Sequence, residues 1–393
     1  MSDVFLLSSA RAPVGAFGGS LKDHRPGELG AIVARAAIER AGIEAGLVEN
    51  VVFGSVIATE PRDAYVARIA AMGAGIPKEA PALSVNRLCG SGLQAIISAA
   101  QSIMLGDHGV ALAGGVEIMS RAPYFAPALR WGQRMGDGAF LDGLLGALSD
   151  PFEGIHMGVT AENVAARYGV SREDQDALAL ESQQRAAHAI EQGYFRSQIV
   201  PIELNIRGKV SLFDTDEYVR RDAKADDFGK LKPVFRKENG TVTAGNASGI
   251  NDGAAAVVLA SGRAATAHGL KPVARLVAYG HAGVDPAYMG IGPVPATRNA
   301  LARAGLDIGD IDVIESNEAF AAQACAVARE LGFDPAKVNP NGSGISIGHP
   351  VGATGAIITT KLVHELQRTG GRYGLTTMCI GGGQGIAAIW EAV

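Results

Sequence analysis

Short apolar runs and helically spaced apolar positions alternate along this chain. Val4–Ser8 is a closed apolar run, the pattern of a buried strand. Pro26 opens a helically spaced stretch that reaches about Ala41 and stops at Gly42. The expected helix thus has proline in its first turn and glycine just past its end. Val51-Val52-Phe53 reads as a second strand and 66–73 as a second helix. A short apolar run at Val85 leads through Asn86-Arg87-Leu88-Cys89-Gly90 into a helix with Leu93, Ile96, Ile97, Ile103 and Met104 on one side. Val110–Gly114 is again a short buried strand. Strands alternating with helices at this spacing predict an α/β fold with a mainly parallel sheet and helices on both faces.

From about Ser120 the pattern loosens. Residues 120–250 hold most of the charge runs and long irregular stretches. One clear helix lies inside, opened by the cap signature Ser171-Arg172-Glu173-Asp174 and continuing to Ile190, with Gly193 beyond. Past this insertion the first pattern returns. Glu39-Arg40-Ala41-Gly42-Ile43 is echoed by Ala302-Arg303-Ala304-Gly305-Leu306, and Val48–Ser55 by Ile311–Asn317. The Cys89 loop and helix are echoed by Gly348-His349-Pro350-Val351-Gly352 and a helix through Leu366, and Val110–Met119 by Leu375–Gly385. The offset stays near 260–266 residues throughout. The expected organisation is a duplicated α/β unit. The first copy is 1–119 completed by 250–270, a loop or lid domain occupies 120–249, and the second copy is 271–393. Duplication would bring equivalent loops together at one ligand site, at the ends of strands.

Composition narrows the function. The 393 residues carry a net charge of −5, which argues against a nucleic-acid or membrane-surface partner. The 52 glycines are scattered through Ala/Val/Ile-rich segments, as in a tightly packed α/β protein rather than a disordered one. Three cysteines form no disulfide framework and no CxxC, so neither a secreted scaffold nor a zinc site is expected. No basic segment with a long apolar run opens the chain, no stretch of 18 or more apolar residues occurs, and Trp-Glu-Ala-Val is no targeting tail. The expected location is the cytoplasm.

Several residues then stand out. Cys89 precedes a helix start, where free N–H groups and the positive dipole end favour a thiolate, with a pKa lowered toward ~3.5–7.5. A structural core cysteine is the competing reading. His349, clamped between Gly348 and Pro350 on the equivalent loop, suits a base for Cys89, or else caps its own turn. Cys379 ends a strand before Gly381-Gly382-Gly383, where a second thiol, with a free pKa near about 8.5, suits proton transfer. Asn317, ending another strand, offers an amide for a water or an oxyanion, or a helix cap. Cys325 reads as core. His156 either lines the cleft or caps a helix starting near Thr160. Residues 206–237 hold nine Lys/Arg and six Asp/Glu. They make either a solvated face or a dock for an anionic ligand, with Arg220 the best single candidate. No Walker A motif and no GxGxxG after a strand is present.

Together these stretches resemble the thiolase family. The resemblance is carried by Asn86-Arg87-Leu88-Cys89-Gly90-Ser91-Gly92, His156-Met157-Gly158-Val159-Thr160-Ala161-Glu162-Asn163, Gly245-Asn246-Ala247-Ser248-Gly249, Asn317-Glu318-Ala319-Phe320-Ala321, Gly348-His349-Pro350-Val351-Gly352-Ala353-Thr354-Gly355 and Cys379-Ile380-Gly381-Gly382-Gly383-Gln384-Gly385. It covers essentially the whole chain and looks nearest to bacterial acetyl-CoA acetyltransferases and β-ketothiolases, including broader-chain ones used in polyhydroxyalkanoate supply. The resemblance implies a five-layered αβαβα fold and reversible Claisen condensation of two acyl-CoA molecules. It implies Cys89 as acyl carrier, His349 as its activator and Cys379 as the α-proton base. Asn317 would hold a water in one oxyanion hole, and the N–H groups of Cys89 and Gly381 would form the other. His156, Met157, Arg220 and Ser248 would hold coenzyme A, with Met289 and Phe320 near the acyl pocket. Coenzyme A is then a substrate, with no cofactor and no metal, and the expected assembly is a homotetramer or homodimer. A decarboxylating ketosynthase of the same fold would need a second catalytic histidine, and a non-catalytic scaffold would be expected to lose one of Cys89, His349 or Cys379. One departure is Gly342-Ser343-Gly344-Ile345-Ser346, where many thiolases read Gly-Gly-Ala-Ile-Ala. The two hydroxyls are expected near His349, with an acyl range wider than acetoacetyl-CoA.

Overall fold

The computed structural model describes residues 3–206 and 208–393; Arg207 of the basic run lies outside them, as do Met1 and Ser2. Strands β1 (Val4–Arg11), β2 (Asn50–Gly54), β3 (Ala82–Val85), β4 (Val110–Ile118) and β5 (Asn251–Ser261) form one half. Strands β6 (Ala274–Gly283), β7 (Val313–Ser316), β8 (Tyr373–Ile380) and β9 (Gln384–Ala392) form the other. Their order is β3-β2-β4-β5-β1 followed by β6-β9-β8-β7, so the second half repeats the first in reverse. The halves meet where β1 pairs with β6 through Phe5 with Arg275 and Leu6 with Ala274. Even the short edge strand has its echo: Val51 pairs with Ala82, and Ile314 bridges Val338.

The sheet is mixed rather than mainly parallel. Strand β2 runs parallel to β3 and β4, and β7 parallel to β8, but the other neighbours in the path are antiparallel. The reason is connection length. Strands β8 and β9 are joined by Gly381–Gly383, and three residues allow only a hairpin, since a parallel return needs a dozen or more. Gly382 and Gly383 both lie at positive φ, 78° and 80°, which glycine adopts without strain.

Helices α1 (Pro26–Ala41) and α2 (Val66–Gly73) cover the outer face of the first half. There Leu29, Val33, Ala67 and Ala70 pack on Val51, Leu112 and Ala256. Helix α3 (Ser91–Leu105) lies between the halves. It shares one core with α8 (Thr354–Thr369): Leu93, Ile96 and Ile97 meet Ile357, Ile358 and Leu362, with Val257 on one side and Met378 and Trp390 on the other. Helices α6 (Pro293–Ala304) and α7 (Ala321–Leu331) cover the outer face of the second half, over Leu375, Ala387 and Ile389. The result is the five-layered αβαβα arrangement. Leu88–Leu105 is long and apolar enough to cross a membrane by composition, but it is this central layer, buried by protein on both sides.

The two central helices cross at paired glycines, Gly92 on α3 and Gly355 on α8. A Cβ at Gly355 would stand 2.2 Å from Leu93 N, and one at Gly92 2.8 Å from Ala356 N. Close approach at these points is what lets the loops before both helices converge.

Between β4 and β5 lie α4 (Met157–Tyr168), α5 (Arg172–Gln192), a hairpin of Ile202–Ile206 with Lys209–Phe213, and several short pieces. Helix α5 has the expected cap, with Ser171 Oγ accepting from Asp174 N at 3.0 Å and Asp174 Oδ2 from Ser171 N at 3.0 Å. The segment is tied to β1 by a fully buried pair, with Arg11 donating to both oxygens of Asp216 at 2.7 and 2.9 Å.

Candidate active site

The loop that carries Cys89 is held in an unusual conformation. Leu88 has φ of 46°, in the left-handed region that a branched side chain avoids, a strain of ~1–3 kcal/mol. Asn86 Oδ1 accepts from Leu88 N at 2.9 Å, and Ser91 Oγ accepts from Arg87 N at 2.9 Å while donating to Leu88 O at 2.7 Å. These bonds turn the half-buried Cys89 toward the second half, where its thiol lies against the N–H of Gly381 and its own N–H. The expected thiolate is not the resting state. Burial pushes the thiol up to about 11; the two N–H groups oppose the rise, and the nearby Glu117 carboxylate adds to it. Glu117 sits at the end of β4 and accepts from Val56 N and Ile57 N at 3.0 Å each and from Gly352 N at 2.8 Å, joining one loop from each half.

Gly348 has φ of 118°, and a Cβ there would stand 2.5 Å from Asn251 Cγ. The turn delivers His349, whose N–H donates to Asn251 Oδ1 at 2.9 Å and whose Nδ1 lies 2.7 Å from Thr354 Oγ1. Burial lowers the His349 pKa to about 4, so the imidazole is neutral at neutral pH. Asn317 is fully buried, its N–H donating to Thr377 O at 3.0 Å. Its Nδ2 is nearly equidistant from the two ring nitrogens of His349, at 3.5 and 3.4 Å, and its Oδ1 has no partner among the described residues.

Cys379 is the next-to-last residue of β8 and is fully buried. Burial, and then the neighbouring Cys89, raise its thiol well above the free value, so it too is protonated at rest. Cys89, His349 and Cys379 line one cavity of about 370 Å³ with Met119, Leu148, Met157, Met289 and Phe320. Apart from the two thiols and His349, the wall is mostly apolar, the make-up of a site for a largely apolar ligand with a few directed polar groups.

The remaining sequence candidates divide. His156 does both things the sequence left open: it lines the cavity and caps α4, Nδ1 accepting from Gly158 N at 3.0 Å. Met157, Ser248, Met289 and Phe320 line the same cavity. Gly381 is buried with its N–H against the Cys89 thiol, and a Cβ there would stand 3.3 Å from Met157 Sδ. Arg220 lies elsewhere, in an open hollow of about 340 Å³ with Arg221, Asp222 and Phe228. Cys325 is buried in the outer core, as read. The expected hydroxyls near His349 are a correction. Ser346 Oγ meets Ser182 Oγ at 2.8 Å, and Ser343 Oγ donates to Ser316 O at 3.2 Å; neither lines the cavity. They satisfy buried neighbours on the far side of the Asn317 turn instead.

Sequence reasoning passed over Phe235, which stacks on His156 with ring centroids 4.7 Å apart and planes at 17°. It is one of four aromatics in the basic run, with Phe213, Tyr218 and Phe228, and nothing in the sequence sets it apart. Asn251 and Thr354, the groups that hold His349, were passed over too.

The chain matches two family models, described as "Thiolase, N-terminal domain" over residues 4–263 and "Thiolase, C-terminal domain" over residues 270–392. It is 65% identical to a protein named Beta-ketothiolase BktB from Cupriavidus necator, covering all of this chain and 99% of that one. It is 50% identical to an Acetyl-CoA acetyltransferase of Syntrophomonas wolfei, again over 100% of this chain and 99% of the other. Among solved structures, the acetyl-CoA acetyltransferase of Bacillus anthracis superposes with a TM-score of 0.98 at 48% identity, covering 100% and 99%. Human mitochondrial 3-ketoacyl-CoA thiolase in complex with CoA superposes with a TM-score of 0.97 at 45% identity, covering 100% and 98%.

Proposed function

The chain belongs to the thiolase family, and on that premise we propose a two-step acyl transfer between coenzyme A thioesters with the roles divided as follows. In the first step His349 takes the Cys89 proton as the sulfur attacks the thioester carbonyl. The oxyanion is met by the N–H groups of Cys89 and Gly381. Cys379 gives its own proton to the departing coenzyme A sulfur. An acyl-Cys89 intermediate, free coenzyme A, a protonated His349 and a Cys379 thiolate result. In the second step the Cys379 thiolate removes an α-proton from a second acyl-CoA. The enolate oxygen is held by His349 and a water on Asn317, and the carbanion attacks acyl-Cys89. His349 returns its proton to the departing Cys89 sulfur, so His349 and both thiols end as they began. Thiolysis of a 3-ketoacyl-CoA runs the same steps backwards. One oxyanion donor is typically worth ~10²–10³ in rate, so both holes contribute.

The observation that carries this reading is that two thiols and a neutral histidine line a single apolar cavity. One thiol cannot be acyl carrier and base at once. Coenzyme A enters as substrate and product, and no resident cofactor is part of the scheme. Its pantetheine would run past His156, Phe235 and Ser248, with Arg220 farther out toward the charged end. The acyl range extends beyond acetyl groups; the apolar wall and the 65% identity to a β-ketothiolase, against 50% to an acetyl-CoA acetyltransferase, support this. The test follows coenzyme-A-dependent loss of 3-ketoacyl-CoA enolate absorbance for four-, five- and six-carbon substrates. Turnover lost in both Cys89→Ser and Cys379→Ser is expected. Turnover confined to the four-carbon substrate would refute the wider range, and full activity in either variant would refute the division of roles.

The enzyme works in the cytoplasm as a homo-oligomer. Two features support association. Strand β3 ends the sheet with an unpaired edge and an exposed Leu83, and the segment from Tyr124 to Phe152 bares Leu129, Trp131, Met135 and Phe140, with Trp131 and Met135 each 91% exposed. Two separate apolar surfaces suit a dimer of dimers.

A further inference from the structure

His349 can serve as a base only through a nitrogen that carries a lone pair, and nothing in the cavity chooses which nitrogen that is. Asn317 does not, being nearly equidistant from both at 3.5 and 3.4 Å. The choice falls to Thr354, the first residue of α8, which is buried and has its Oγ1 2.7 Å from Nδ1. A hydroxyl has one hydrogen. Here Oγ1 also lies 2.9 Å from Pro350 O, four residues back, which is the bond a helical threonine commonly makes to its own backbone. With its hydrogen on Pro350 O, the hydroxyl offers Nδ1 only a lone pair, and Nδ1 must carry the ring proton.

We propose that Thr354 is a positioning residue that locks His349 in the Nδ1–H tautomer and leaves Nε2 bare to receive the Cys89 proton. The device is local. Thr354 sits five residues after His349, on the same turn, and Pro350 between them supplies the carbonyl that orients the hydroxyl. Asn251 fixes the turn that bears the ring by accepting the His349 backbone N–H at 2.9 Å while donating from Nδ2 to Gly15 O at 3.1 Å. The opposite tautomer would put a hydrogen on Nε2 and give the ring's one lone pair to the Thr354 side, where it could not take the Cys89 proton. In this state the neutral imidazole, which burial already favours, is a base by tautomer as well as by charge.

This inference rests on His349 being the base proposed above, and the experiment separates the two. Nitrogen-15 spectra of histidine-labelled enzyme, with the His349 signals identified by their loss in His349→Ala, should show a protonated Nδ1 and a bare Nε2 at neutral pH. A protonated Nε2 overturns the inference without any variant being needed. Thr354→Val, nearly the same shape without the hydroxyl, should lower kcat at least tenfold while leaving KM for the acyl-CoA within threefold. Thr354→Ser should restore kcat to within threefold of the parent. A Thr354→Val enzyme with full kcat, or a Thr354→Ser enzyme as impaired as the valine variant, rules the proposal out. If His349→Ala itself keeps full turnover, the base assignment fails instead.

Discussion

At the scale of single residues, the site rests in an uncharged state. Cys89 stands near 11 and His349 near 4, and both are displaced by burial in the direction that disfavours charge. Those shifts disfavour a thiolate–imidazolium pair at rest, so in the proposed scheme proton transfer accompanies attack. Two consequences are measurable. In the proposed scheme His349 acts in its neutral form, and a lowered pKa keeps that form present as pH falls through the ordinary histidine value. The acid limb of kcat/KM should therefore centre at about 4; a limb at 6.5 would show an unperturbed base. In the free enzyme, alkylation of Cys89 by iodoacetamide should keep accelerating above pH 9, followed by mass spectrometry of the Cys89 peptide. A plateau at neutral pH would mean a preformed thiolate, as the helix start taken alone suggests. The helix end was legible in the sequence and its field is real, but the desolvation that outweighs it depends on walls contributed by distant segments such as Met157 and Phe320.

At the scale of elements, the site depends on how α3 and α8 cross. Both catalytic loops are the lead-ins to these helices, so any wedge between them separates Cys89 from His349. Gly355→Ala would place a Cβ against Leu93 backbone. An overpacking cost of ~1–3 kcal/mol is expected, seen as a lower urea midpoint, together with a kcat loss larger than the stability loss explains. The serines of the Gly342–Ser346 turn make the opposite case. Their hydroxyls bond to Ser182 and Ser316 behind the Asn317 turn. The Ser343→Gly/Ser346→Ala double variant should thus leave the ratio of four- to six-carbon turnover unchanged within twofold, at some cost in melting temperature. A shifted ratio would show that these groups reach the acyl pocket after all. From the sequence these serines looked adjacent to His349 because they are three and six residues away from it. Adjacency along a turn does not say which side of it a hydroxyl faces.

At the scale of the whole molecule, the exposed apolar segment is the contact proposed between dimers. On that proposal Trp131→Glu combined with Met135→Glu should halve the sedimenting mass while the fold is kept by circular dichroism. An unchanged mass would place the contact elsewhere. The duplication itself could be read from the chain, since two copies of one unit repeat the same caps and apolar spacing at a constant offset. Gly42 and Gly305 end equivalent helices at φ of 66° and 65°. Local chemistry determines such features: proline and glycine limits on helices, strand-length apolar runs, and the residue types gathered in each motif. What the chain order alone could not decide was the direction of β5, which returns after the long segment between β4 and β5, whereas β9 follows β8 across only three residues. Nor could it decide the protonation of Cys89, His349 and Cys379, or which nitrogen of His349 meets Thr354. Those follow from burial and from partners such as Asn251, 98 residues from His349 in sequence. Desolvation and hydrogen-bond geometry are properties of the packed cavity, and they come into being only when the two halves close on each other.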